Sequence, residues 1–164
     1  MSALPWSLFS GIPKHRLFRL LGFYPPYLGA GVRVREVAPD LTAIAVEMPL
    51  RLWNRNYVGT HFGGSLYSLA DPWFMLMLTE HLGDGYVVWD KAASIRFVKP
   101  GRGTVRARFE VPLERVAEIR AEADRAGRAE PTFQVAITDA QGETVAVVEK
   151  RVSVRARAGA APGL

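Results

Sequence analysis

The stretch NYVGTHFGGSLYSLAD, Asn56 to Asp71, sets two adjacent glycines ahead of an apolar, helix-like run and a carboxylate seven residues beyond the second. Glycine is poor helix material, and an acid on an apolar segment is costly unless something uses it. A helix N-terminus carries unpaired backbone N–H groups and a partial positive charge, so Gly63 and Gly64 could form an oxyanion hole or a phosphate cradle. A tight turn, or close packing of helix on sheet, explains the same dipeptide. Asp71 also has two readings. Followed by Pro72, it is a good N-cap for the run WFMLML; in an apolar setting that raises its pKa, it is a general base or nucleophile.

Spacing constrains the second reading. If Gly64 begins the helix, Asp71 lies ~10 Å farther along it, at about 1.5 Å per residue. A carboxylate so placed cannot easily attack a carbonyl polarised by the start of its own helix. It could attack one held by a second, antiparallel copy of that helix. The chemistry therefore implies a two-fold dimer with composite sites.

Around this stretch the pattern is α+β. Residues 1–31 read as a helical lead-in, with Pro13 in a first turn and Gly22 and Pro25-Pro26 as the stop. Strands follow over 32–37 and 42–48, where Val32/Val34 and Ile44/Val46/Met48 alternate around a turn at Pro39-Asp40. Residues 49–63 have loop composition, and Gly64 to about Leu82 reads as one buried helix. Tyr86 to Val98 is a long strand, and Thr104 to Val111 alternates cleanly. Pro112 opens a charged helix that Gly127 ends. A closing hairpin joins TFQVAITD to ETVAVVEKRVSVR; the parity of apolar positions changes between Val147 and Val152, which predicts a bulge there. One sheet wrapping one buried helix accounts for this order. The expected organisation is a single domain over 1–164: an N-terminal extension (1–31), a core (32–156) and a frayed tail (157–164).

Composition narrows the function classes. The chain has no cysteine, which excludes disulfides, thiolate metal sites and a cysteine nucleophile. With no signal-peptide pattern at the N-terminus, the expected setting is the cytoplasm. The most hydrophobic run is too short to span a bilayer and carries Asp71-Pro72 at its centre. Net charge is +5, which attracts anions, but the basic residues are spread along the chain. Without zinc-finger spacing or an aromatic RNP pattern, no nucleic-acid partner is expected. His15, His61 and His81 show no metal-ligand spacing, and Ser65 and Ser68 lack a GxSxG elbow.

The motif Asn56-Tyr57-Val58-Gly59-Thr60-His61-Phe62-Gly63-Gly64, with Asp71 beyond it, resembles that of the hotdog-fold thioesterases of the phenylacetate-degradation type. Their pattern is Asn, Gly, then His-Gly-Gly at a helix start, then an acid within the helix. The resemblance covers about residues 30–156, including the long third strand and the Lys99-Pro100-Gly101 that follows it. It is nearest to an uncharacterised branch with FGG in place of HGG. It implies a hotdog fold, an acyl-thioester hydrolase, and a homodimer or homotetramer. The substrate would be an acyl-CoA, and no separate cofactor is implied. Asn56 would orient the thioester or water, the Gly63 N–H would polarise the carbonyl beside Gly64, and the partner subunit's acid at position 71 would be base or nucleophile. Asp90 falls near a helping polar position. Phe62 stands at the family's histidine, and His61, one residue early, is the candidate replacement imidazole.

An acyl chain would then lie along Phe62, Tyr67, Trp73, Phe74, Met75 and Met77, a spacing that plain core also explains. Lys91, Lys99 and Arg102 are candidates for the CoA phosphates, or simply sheet-edge charges. Two other functions share the fold: a non-catalytic acyl or lipid binder, and an oligomeric interaction module without a ligand.

Overall fold

The computed structural model of the chain describes residues 13–157; residues 1–12 of the expected lead-in and 158–164 of the expected tail lie outside them. Seven strands make one antiparallel sheet: β1 (Arg33–Val37), β2 (Ala43–Pro49), β3 (Tyr86–Phe97), β4 (Thr104–Glu110), β5 (Arg128–Ala129), β6 (Thr132–Thr138) and β7 (Thr144–Ala156). Their spatial order is β1-β2-β4-β6-β7-β3, and the two-residue β5 also pairs with β7. The helices are α1 (Lys14–Leu20), α2 (Pro25–Ala30), α3 (Gly63–Ala70), α4 (Trp73–Leu82) and α5 (Leu113–Ala126). Among the described residues no helix is long and apolar enough to cross a membrane.

Period-two alternation turns one face of the sheet onto α3 and α4. Ile44, Val46 and Met48 of β2, and Val105 and Phe109 of β4, lose almost all contact with water. So do Val148, Val152 and Val154 of β7, and Leu69, Trp73, Met77 and Leu78 opposite them. Each such side chain stabilises the fold by roughly 1.5–3 kcal/mol relative to exposure. The rings of Phe74 and Phe133 stack at 4.7 Å, and Phe109 meets Phe74 edge-on at 5.2 Å. These contacts fix the helices against the middle of the sheet.

Three expectations change. Pro25 and Pro26 do not stop the lead-in; they open α2 at its first two positions, where a missing N–H leaves no bond unmade. The single helix over 64–82 is two helices, divided at Asp71-Pro72. Proline lacks the N–H that the helix ladder needs and pushes the residue before it to extended backbone, and Asp71 has φ −101° and ψ 134°. The bulge lies on β3, between Asp90 and Ala92, with β7 running in continuous register opposite. It moves the core-facing parity of β3 from Val88 and Asp90, opposite Val154 and Val152, to Ala93, Ile95 and Phe97, opposite Lys150, Val148 and Ala146. One extra residue thus sends Asp90 and Phe97 to the same face.

Candidate active site

The break between α3 and α4 determines what Asp71 does. It is the C-terminal flank of α3, Pro72 occupies the flank of α4, and neither makes a side-chain cap. The capping account of Asp71 is therefore set aside. Its backbone carbonyl, freed from the ladder, accepts the Tyr27 hydroxyl of α2. Burial, then the Asp71 charge, push the Tyr27 phenol far above its ordinary pKa, so it stays a donor. Tyr27 in turn stacks on Trp73 at 5.4 Å.

The Asp71 carboxylate points to a residue that the sequence reading missed. Lys150 of β7 is wholly buried, and its Nζ lies 2.5 Å from Asp71 Oδ1 and 2.7 Å from Asp90 Oδ2. A third contact, 3.3 Å, reaches the Tyr67 hydroxyl on α3. Burial alone would lower the Lys150 pKa, but the hydrogen bonds and charges of the two carboxylates outweigh it and hold the ammonium well above its ordinary range. Asp90 is pushed up, first by burial and further by Asp71, against the pull of Lys150. Its Oδ1 is buried without a partner. The Asp71 side chain stays 44% exposed against 23% for Asp90, so it is the more open of the two acids.

The paired glycines begin α3, as the motif predicts. Leu66 N–H makes the bond to Phe62 O at 3.1 Å, so the amides of Gly63, Gly64 and Ser65 lie ahead of the ladder. Both glycines also lie close beneath exposed aromatic rings. A Cβ on Gly63 would fall 2.9 Å from the Phe97 ring, and one on Gly64 would fall 2.5 Å from the Phe62 ring. Phe62 and Phe97 are more than half exposed, and their rings stand over this helix end.

The loop leading into it is held by its own polar groups. Asn56 Oδ1 accepts from the N–H of Val58 and Thr60, and its Nδ2 donates to Thr60 Oγ1 at 2.9 Å and to His61 O at 3.3 Å. The His61 ring is buried and bonds through Nε2 to Gly103 O at 2.9 Å; its Nδ1 has no partner. Burial lowers the His61 pKa, against the raising effect of the Gly103 bond. A second missed residue, the buried Asn54, donates to Ala30 O and Pro49 O and accepts from Arg51 N–H, tying the loop to α2 and β2.

The remaining candidates separate. Tyr67 joins Asp71 and Asp90 at Lys150, whereas Trp73, Phe74 and Met77 are core and Met75 is half-buried. Lys91 pairs with Glu130 at 2.6 Å, and Lys99 is held between Asp139, at 2.6 Å, and Glu143. Arg102 is exposed and has no acidic partner among the described residues. No group of three His, Asp or Glu among those residues could hold a metal.

A sheet wrapped on a broken helix, with open amides at one end of α3 and a lysine-held acid at the other, defines a thioesterase-like protein of the hotdog fold. The chain belongs to the family described as a domain of unknown function, DUF4442, which matches residues 14–154. It is similar in structure to a Pseudomonas aeruginosa protein of unknown function described as a probable thioesterase. Identity is 26%, the TM-score is 0.77, and the match covers 89% of this chain and 97% of that one. A Haemophilus influenzae thioesterase matches at 16% identity and TM-score 0.63, over 87% and 90% of the two chains. A mutant of the phenylacetic acid degradation protein PaaI of Thermus thermophilus matches at 22% and 0.53, over 80% and 98%. Likeness at such identities speaks for the fold. No curated protein matches the sequence.

Proposed function

We propose that the chain hydrolyses acyl thioesters, with acyl-CoA as the substrate class, at a site completed by a second copy. The observation that carries this reading is the Asp71 carboxylate: it caps no helix, is half-open to solvent, and gives only one oxygen to Lys150. A buried cation spent on a surface-facing acid suits an acid with chemical work to do. In the proposed step, a water gives its proton to Asp71 Oδ2 while its oxygen bonds to the thioester carbon. The Gly63 and Gly64 amides take the developing oxyanion. The C–S bond then breaks, and the thiolate leaves with the proton that Asp71 returns.

Asp71 follows Gly63 by a whole helix, so the amides and the acid come from different subunits. The free edge of β3 supplies the means of pairing: among the described residues it is bonded only to β7, and Val87, Phe97 and Val98 are exposed along or just beyond it. Sedimentation at micromolar concentration should give a dimer or tetramer, and a monomer removes the composite site. Of the three basic candidates, Arg102 is the one left without an acid and suits a CoA phosphate best. The deciding assay is a panel of CoA thioesters with a thiol-detecting dye.

One observation favours a second reading, a non-catalytic acyl binder. Where the resemblance puts an imidazole, the Phe62 ring lies over Gly64, an apolar surface at the point of polarisation. Native mass spectrometry of the purified protein, showing a retained acyl species and no turnover, would select it.

A further inference from the structure

We propose that Lys150 is the positioning residue of this site: its ammonium binds Asp71 and Asp90 into one carboxyl pair and leaves Asp71 Oδ2 as the reacting oxygen. The inference rests on the thioesterase reading above and gives its acid a defined internal support.

The geometry assigns the role. An ammonium has three N–H donors. Those of Lys150 go to Asp71 Oδ1 at 2.5 Å, Asp90 Oδ2 at 2.7 Å and the Tyr67 hydroxyl at 3.3 Å. The Tyr67 ring lies 5.3 Å from the same nitrogen. With every donor used and no exposed surface, Lys150 has nothing to offer a ligand directly. It acts through the acids it holds. Stability gives little reason to keep it, because replacing a buried ion pair by apolar groups of similar volume is often neutral or better. Its neighbours on the same face, Val148 and Val152, show what such a position otherwise holds.

The two acids differ in consequence. Asp90 is the less exposed, 23% against 44%, and its Oδ1 is buried with no partner among the described residues. The titratable groups around the ammonium are Asp71 at the α3–α4 break, Asp90 on β3 and Tyr67 on α3; the Tyr27 hydroxyl of α2 bonds the Asp71 backbone and not the ammonium. Asp90 is raised by burial and by its contact with Asp71, and its carboxyl is the less exposed of the two. That leaves Asp71 to work as the base. When Asp71 takes a proton from water, Asp90 still anchors Lys150, and the ammonium itself neither gains nor loses a proton.

The test compares the parent protein with Lys150→Met and Lys150→Arg on its best thioester. Lys150→Met should lower kcat by about 100-fold and leave KM within about threefold, because the acid is misplaced and binding is not. The acidic limb of its kcat/KM profile should move to higher pH. Lys150→Arg, which restores the cation, should recover at least about tenfold of the loss. A folded Lys150→Met enzyme with kcat within about twofold of the parent and an unmoved profile overturns the proposal. A second readout needs neither turnover nor that variant: carbon-13 titration of the Asp90 carboxyl. Its midpoint should lie above the ordinary aspartate value in the parent and fall in Asp71→Asn. An Asp90 midpoint that ignores Asp71→Asn also overturns the proposal. A parent inactive on every thioester refutes the function above, yet the Asp90 titration still decides the carboxyl pair.

Discussion

Two lysines in this protein are each held between two carboxylates, and they differ in one respect. Lys150 lies under the sheet, fully buried, against Asp71 and Asp90; Lys99 follows β3 at the surface, 31% exposed, against Asp139 and Glu143. Both ammonium groups are raised in pKa. For Lys99 the leading causes are the hydrogen bonds to Asp139 and then Glu143, with burial a smaller opposing effect. For Lys150 burial is the largest influence and opposes the charge, so the carboxylates must overcome it. Water screens the surface cluster and can replace either partner. Nothing replaces a partner of Lys150. The same three groups are thus a solvated turn staple in one place and an obligatory unit in the other.

Removing each lysine exposes that contrast most strongly. Lys150→Met leaves two facing carboxylates without a counter-charge; a fully buried pair broken in this way costs about 3–5 kcal/mol, and the partial exposure of both acids brings the cost below that. Lys99→Met should unfold at a urea midpoint indistinguishable from the parent. Equal losses in the two variants would show that water reaches Lys150 as freely as it reaches Lys99.

The acids give the next largest effect, on catalysis. Asp71→Asn preserves shape and an oxygen for Lys150, with Asp90 still ionisable beside it, yet an amide cannot act as a base. Hydrolysis should drop by about 100-fold or more, while the melting temperature changes little. Asp139→Asn, the corresponding change at Lys99, should leave turnover as it was. An Asp71→Asn protein that hydrolyses at the parent rate would sink the mechanism and leave the fold untouched.

Much of this architecture was legible because its information is local. Ile44/Val46/Met48 and Val105/Ala107/Phe109 state their strands by alternation, and the paired glycines mark the start of α3. Pro72 was equally visible, but the unbroken apolar run around it favoured one helix, and the proline prevailed. Lys150 was hidden for a different reason. It sits at the inward period-two position between Val148 and Val152, a detectable signal, but within KRVSVR it reads as one of several surface charges. One partner lies 79 residues away at the helix break, and the other sits on β3, where a bulge decides which way Asp90 faces. Pairings of that range depend on register, which spacing along one segment does not encode. Asn56 and His61 show the converse, since a motif names residues without naming their partners. Both are occupied here by the backbone of their own loop or of Gly103.

His61 provides the smallest effect, and it sharpens the comparison by adding a buried group that stays neutral. Its Nε2 donates to Gly103 O, and burial holds its pKa below the ordinary 6.5. As pH falls through that value the unfolded chain takes up a proton that the native imidazole refuses. Stability from this group is therefore present above about pH 6.5 and is lost progressively down to the lowered native pKa. The sign is opposite to that of a paired lysine, whose contribution is complete below its unfolded pKa and fades only in alkali. Melting curves between about pH 7.5 and 5.5 should thus be flatter for His61→Gln than for the parent, the carboxylates being common to both. Turnover should change less than about twofold, because a nitrogen already donating to Gly103 O is not free to polarise a thioester. Parallel melting profiles would show an imidazole that titrates as in water. A tenfold or larger loss of kcat would place His61 in the reaction, in the role that Phe62 cannot fill.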